Sequence, residues 1–169
     1  MILNNAVNAG NFIYCMAYFG SHETKSYFND GNGHYHQCTY IVEGRGSGTI
    51  KDKDGTVISQ RDDDSAGQLI DLKDFKAMEH VTQTQDQSLS LMLFNPIPDT
   101  RTLDVEIVKG PATKTVNAID KRITVVCITG PITANDKSLA SLQHAKLFPG
   151  KTVNLNLPEN TVCALVSDN

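Results

Sequence analysis

The sequence predicts an all-β chain built from antiparallel strands, and three observations carry that expectation. Short apolar, β-branched and aromatic runs recur along the 169 residues, each closed by Gly, Pro, Asn or Asp. Sustained helical periodicity is nearly absent. The second half of the chain also repeats, in order, the landmarks of the first. A chain of this length forms one compact domain or two very small ones and buries roughly two-thirds of its unfolded surface, so a core forms without staples.

The strands follow in order. Phe12 to Phe19 opens the series. Gly31, Asn32 and Gly33 then form a turn that tolerates positive φ. From His34 the residues change to a strand rich in Tyr, Thr, Ile and Val that closes at Gly44. Thr49 to Lys51 leads into the hairpin turn Asp54-Gly55, and Thr56 to Ser59 returns from it. Arg61 to Gly67 carries Asp62, Asp63 and Asp64 and reads as a polar, solvated loop whose spacing matches no calcium loop. Gln68 to Leu72, Val81 to Thr84 and Leu89 to Phe94 continue the strands. Asn95-Pro-Ile-Pro-Asp99 breaks the pattern, because proline cannot donate to a sheet ladder. This places a boundary between a first unit, 1–98, and a second, 99–169.

The second unit reads as a shortened copy of the first. Phe12 to Phe19 and Gly20 are echoed by Leu103 to Lys109 and Gly110. Tyr40 to Gly44 is echoed by Val126 to Gly130, and the turn at Asp54 by Asn135-Asp136-Lys137. Leu72 to Phe75 corresponds to Leu147 to Gly150, and Leu89 to Asn95 to Val162 to Asp168. One segment competes with this scheme: Asp136 to Phe148 spaces Leu139, Leu142 and Ala145 as a short helix would, with Asp136 as cap and Pro149-Gly150 as stop. The repeat favours strands there.

Composition removes several classes of partner. The net charge is −4 at pH 7, the charges are scattered and no basic run occurs, which argues against nucleic acid and anionic membrane. Phe12 to Phe19 is too short to span a bilayer and lacks the flanks of a signal peptide, so a cytoplasmic location is expected. Cys15, Cys38, Cys127 and Cys163 lie far apart within strand-like runs and read as buried free thiols in a reducing compartment.

The chemistry concentrates between Gly31 and Gly48. Alternate strand residues share a face, so His34, His36, Cys38 and Tyr40 point one way while Tyr35, Gln37, Thr39 and Ile41 point the other. Two histidines in register on one face can grip one metal ion. The glycine-rich approach, His34-x-His36 and the run Tyr40 to Gly44 resemble the first motif of the cupin superfamily. Leu72 to His80, followed by Ser88 to Phe94, resembles the second. The resemblance implies an antiparallel jelly-roll β-barrel, here duplicated as a compact bicupin with a degenerate second unit. It also implies an interior that holds a divalent metal or a small ligand. His34, His36 and His80 would then supply three imidazoles to Fe, Mn, Ni or Zn. The chain departs from the pattern in lacking the usual ligand glutamate after the histidine pair; Gln37, Cys38, Tyr40 and Ile41 stand in that neighbourhood, with Glu43 the nearest carboxylate. The second copy has no histidines at these places: Asn117, Asp120 and Lys121 precede its central strand, and Val153 to Leu157 replaces the His80 region.

Metal-free chemistry is the other reading of the pair. Some cupins isomerise nucleotide sugars with histidines as acid and base, and His34 and His36 with Tyr40 nearby suit proton transfer. Gln37, Cys38 and Glu43 are the candidate ligand contacts. The plainer readings are a polar pocket without metal, a core histidine at position 80 and a buried small hydrophobe at Cys38. Three functions are therefore expected in competition: a cupin enzyme acting on a sugar derivative or organic acid, a non-catalytic small-molecule binder, and a structural barrel in a viral or other assembly. Exposed sheet edges favour a homo-oligomer under each.

Overall fold

Lys151-Thr-Val-Asn-Leu-Asn-Leu157 alternates apolar and polar residues, the pattern of a strand with one face in a core. In the computed structural model it is such a strand: Val153, Leu155 and Leu157 are buried, and Thr152, Asn154 and Asn156 are exposed. The structure describes residues 2–3, 6–28, 35–52, 54–75, 79–94 and 102–168, and within these the side chains of 2, 3, 26–28, 35, 73–75, 79–81 and 168 are left aside. The expected turn at 31–33 and the residues at 95–99 lie outside the described residues. Every strand pairing among the described residues is antiparallel, and none of these residues is helical.

The chain divides into two units, Met1–Arg101 and Thr102–Asn169. The first contains β1 (Ile2–Leu3), β2 (Val7–Asn8), β3 (Ile13–Phe19), β4 (Thr24–Phe28), β5 (Tyr35–Glu43), β6 (Arg45–Lys51), β7 (Val57–Ser65), β8 (Leu69–Phe75), β9 (Glu79–Thr84) and β10 (Ser88–Phe94). The second contains β11 (Leu103–Lys109), β12 (Ala112–Ala118), β13 (Ile123–Thr129), β14 (Ile132–Ala134), β15 (Lys137–Leu139), β16 (His144–Leu147), β17 (Lys151–Leu157) and β18 (Val162–Asp168). In the first unit one sheet runs β1-β3-β10-β5-β8, with β2 also on β3, and the other runs β4-β9-β6-β7. In the second the orders are β11-β18-β13-β16 and β12-β17-β14-β15. From β3 onward the same order recurs: central strand β5 lies between β10 and β8 as β13 lies between β18 and β16.

One segment departs from expectation, and in another, two competing expectations are resolved. Arg61 to Ser65 belongs to strand β7, because Ser65, Asp64 and Arg61 pair with Arg45, Gly46 and Gly48 of β6, with a register shift between the last two pairs; only Ala66-Gly67 turns. Between 136 and 148 the chain forms the strands that the repeat favours, β15 and β16, and not the competing helix. Leu142 adopts φ +66°, which a right-handed helix cannot contain, and His144–Leu147 instead pairs with Ile123–Val126.

The interiors of the two units differ. The second unit's core is an apolar cluster that includes Val116, Val125, Cys127, Leu155, Leu157 and Leu165, and each such side chain contributes roughly 1.5–3 kcal/mol by leaving water. The first unit's interior is mixed, as its cavity shows.

Candidate functional site

Strand β5 carries both groups of candidate residues, separated by the pleat. Gln37, Thr39 and Ile41 face a cavity between the two sheets of the first unit, while His36, Cys38 and Tyr40 lie on the opposite face and are 1–3% exposed. The cavity, about 50 Å³, is large enough for a few waters or one molecule of a few non-hydrogen atoms. Polar groups come from every side: Gln37 and Thr39 on β5, Ser47 on β6, Arg61 and Asp64 on β7, Thr82 and Thr84 on β9, and Ser88 and Ser90 on β10. Phe19, Ile70, Leu72 and Met92 supply its apolar walls.

Buried polar side chains require partners, and several here have them. Gln37 donates to Thr39 Oγ1 at 3.2 Å, Thr84 Oγ1 donates to the Gly20 carbonyl at 2.6 Å, and Ser88 Oγ donates to the Glu43 carbonyl at 3.1 Å. The charged pair is Arg61 with Asp64, whose two carboxylate oxygens each lie 3.1 Å from Arg61 Nε. Burial pushes the Asp64 carboxyl above its ordinary value; Arg61 opposes the rise and Asp63 adds to it. The guanidinium lies over Gly48, where a Cβ would stand 2.0 Å from Arg61 Nη2. Residue 48 is thus the space into which Arg61 fits.

The opposite face of β5 holds a second cluster. His36 Nε2 is 2.5 Å from Asp71 Oδ1, Cys38 Sγ is 3.5 Å from His36 Nε2, and Cys38 Sγ is 3.8 Å from Asp71 Oδ1. Asp71 stands on β8 directly across from Cys38 in register, which fixes the carboxylate against the thiol. His36 is 3% exposed and Asp71 38%, so the cluster is buried at one end and open at the other. These three ligand atoms all lie within 4.8 Å of one another, with His36 and Asp71 at hydrogen-bond distance.

The structure keeps His36, Cys38 and Tyr40 on one face of β5, as the pleat requires, and places Gln37 on the other. Of the ligand candidates, Gln37 lines the cavity, Cys38 lies on the other face, and Glu43 is exposed at the strand's end in a surface depression with Tyr18 and Gln87. Of the proposed metal set, His36 sits with Cys38 and Asp71; His34 lies outside the described residues; His80 occupies β9 of the other sheet, opposite Ile50 and Tyr27, with its side chain outside the description. Tyr40 shares the buried face of His36. Asp71, Arg61, Asp64 and Gly48 are the residues that sequence reasoning missed.

No protein-family model matches the chain, and no curated protein does. Solved structures do match. The protein YhaK from Escherichia coli superimposes with a TM-score of 0.67 at 10% identity, over 94% of this chain and 86% of that one. A cupin 2 conserved barrel domain protein from Leptotrichia buccalis gives 0.53 at 11% identity, over 99% and 87%. Oxalate decarboxylase from Bacillus subtilis, of which another structure is described by its Mn(II) centers, gives 0.65 at 8% identity, over 95% and 69%. Likeness at these identities is likeness of fold.

Proposed function

We propose that this chain, which has the cupin fold, binds a small polar molecule such as a sugar derivative or organic acid in the cavity of its first unit. The observation that carries the reading is the contrast between two interiors of one strand order. In the sequence repeat, Gln37 and Thr39 correspond to Ile123 and Val125, and Ser90 and Met92 to Cys163 and Leu165. In the second set Val125 and Cys163 are fully buried in an apolar core, and Ile123 and Leu165 pack at its edge beside a depression rimmed by charged residues; the first set, polar but for the thioether of Met92, lines a cavity between the sheets. A barrel that needed only stability would be expected to fill the first interior as it fills the second, since polar groups out of water cost free energy unless bonded.

Within the cavity Arg61 and Asp64 offset one another's charge, so the pocket suits hydroxyl, amide and carboxyl groups more than a strongly charged ion. The reading leaves His36 out of the ligand's shell, because its ring lies on the other face of β5. Binding by a non-catalytic cupin is thereby favoured over a three-histidine metal enzyme.

Calorimetric titration of a panel of small sugars, sugar acids and carboxylates tests it. At least one compound is expected to bind wild type and to bind Arg61→Met or Thr39→Val at least about tenfold more weakly, the loss of one or more good hydrogen bonds. A panel without a binder, or equal binding to both variants, overturns the reading.

A further inference from the structure

We infer that His36, Cys38 and Asp71 form a binding site for a borderline-soft divalent cation, with Zn(II) the best match. The site lies on the face of β5 turned away from the cavity and does not rest on the ligand reading above. Its three donors come from two paired strands, His36 and Cys38 two residues apart on β5 and Asp71 across the ladder on β8, so the backbone holds them together before any ion arrives.

Two of the three distances lie close to those zinc requires. Bond lengths of roughly 2.0–2.1 Å to nitrogen, 2.0–2.2 Å to oxygen and 2.3 Å to sulfur in a tetrahedron separate sulfur from nitrogen or oxygen by roughly 3.5–3.7 Å. Cys38 stands 3.5 Å from the imidazole and 3.8 Å from the carboxylate. The His36–Asp71 edge, now 2.5 Å, has to open to roughly 3.3–3.5 Å, and the partly exposed Asp71 is the side able to move.

Charge and donor type agree with the distances. A thiolate and a carboxylate together cancel the two positive charges of the ion, which matters where His36 and Cys38 are almost fully buried. Nitrogen, sulfur and oxygen in one set select a borderline metal over Mg(II) or Ca(II), which take oxygen alone. Binding converts the Cys38 thiol to a thiolate and releases its proton to solvent, so affinity rises with pH. Three protein ligands leave the fourth position for water or another ligand, entering from the Asp71 side.

Co(II) titration of the purified full chain tests the assignment. One equivalent is expected to raise a thiolate-to-Co(II) charge-transfer band that Zn(II) then abolishes. Cys38→Ser should remove the band, and Asp71→Asn should weaken Zn(II) binding by at least about tenfold, the lower bound set by losses of even an outer-shell partner. Circular dichroism checks that each variant folds; if Cys38→Ser does not, the wild-type band and Asp71→Asn still decide. No band in wild type, a band retained in Cys38→Ser, or unchanged Zn(II) affinity in Asp71→Asn would each overturn the site. Arg61→Met should leave the titration unaltered, which separates failure here from failure of the cavity reading.

Discussion

Gly48 and Arg61 show how one missing side chain shapes the cavity. A methyl at residue 48 would meet the guanidinium at 2.0 Å for Nη2 and 2.9 Å for Cζ, so Gly48→Ala expels a flexible side-chain end and leaves backbone in place. Its expected cost is about 1–3 kcal/mol, from stranding the 11%-exposed Asp64 carboxyl without its partner. The double variant with Arg61→Met should therefore be no less stable than Arg61→Met alone, a non-additivity that urea unfolding measures. Asp64 also sets a pH dependence. Its folded pKa is raised, mainly by burial, so its contribution to stability is fully present below its ordinary value, about 3.9, and is lost as pH rises through the folded value. Wild type should gain stability relative to Asp64→Asn as pH falls through that window; a difference constant between pH 7 and 4 would contradict it. Neither residue was legible in sequence. The run Gln60 to Asp64 is polar throughout and reads as a loop, since only the folded sheet shows that Arg61 and Asp64 turn inward while Asp62 and Asp63 face water.

At the scale of single elements, β5 was the most legible and β16 the least. Turn residues before it, β-branched residues along it and Gly44 after it marked β5, and the alternation that places His36 with Cys38 and Gln37 with Thr39 follows from the pleat alone. Which face met the cavity required the second sheet. Asp71 escaped notice because a single carboxylate within Leu69-Ile-Asp-Leu72 has no motif; only its register opposite Cys38 brings it to His36 and Cys38. Around β16 the spacing of Leu139, Leu142 and Ala145 competed as a helix against the strands that the repeat favoured, and β16 pairs with β13. The close of β5 gives a sharp test. Gly44 has φ +92°, and a Cβ there would lie 2.4 Å from the Gln87 carbonyl oxygen, whereas Gly55 has φ +83° with open space around it. Gly44→Ala should cost at least about 2 kcal/mol, strain plus a backbone clash, and Gly55→Ala about 1 kcal/mol, strain alone. Equal losses in urea unfolding would refute that account.

Across the whole molecule, the sequence repeat and the strand order agree in detail. Most matched landmarks fall on corresponding strands: Tyr40 to Glu43 on β5 and Val126 to Thr129 on β13, Leu89 to Phe94 on β10 and Val162 to Ser167 on β18, with the Asp54 and Asn135 turns after β6 and β14; Leu72 to Phe75 lies in β8, whereas of Leu147 to Gly150, Leu147 alone lies on β16. Turn formers and central apolar strands survive in both because both units need them to fold. Interior residues differ: Gln37, Thr39 and Ser90 of the first unit's cavity stand where the second unit has Ile123, Val125 and Cys163. Leu155→Ala, in the apolar core, is accordingly expected to cost about 2–5 kcal/mol in urea unfolding. The most direct test of the cavity reading is a methyl-correlation NMR titration with a compound that calorimetry shows to bind. The Met92, Thr39 and Thr82 methyl resonances should shift together and saturate at the calorimetric stoichiometry, with Val125 and Leu155 unmoved. Binding that leaves those three resonances in place would contradict the claim that the first unit's interior is the ligand site.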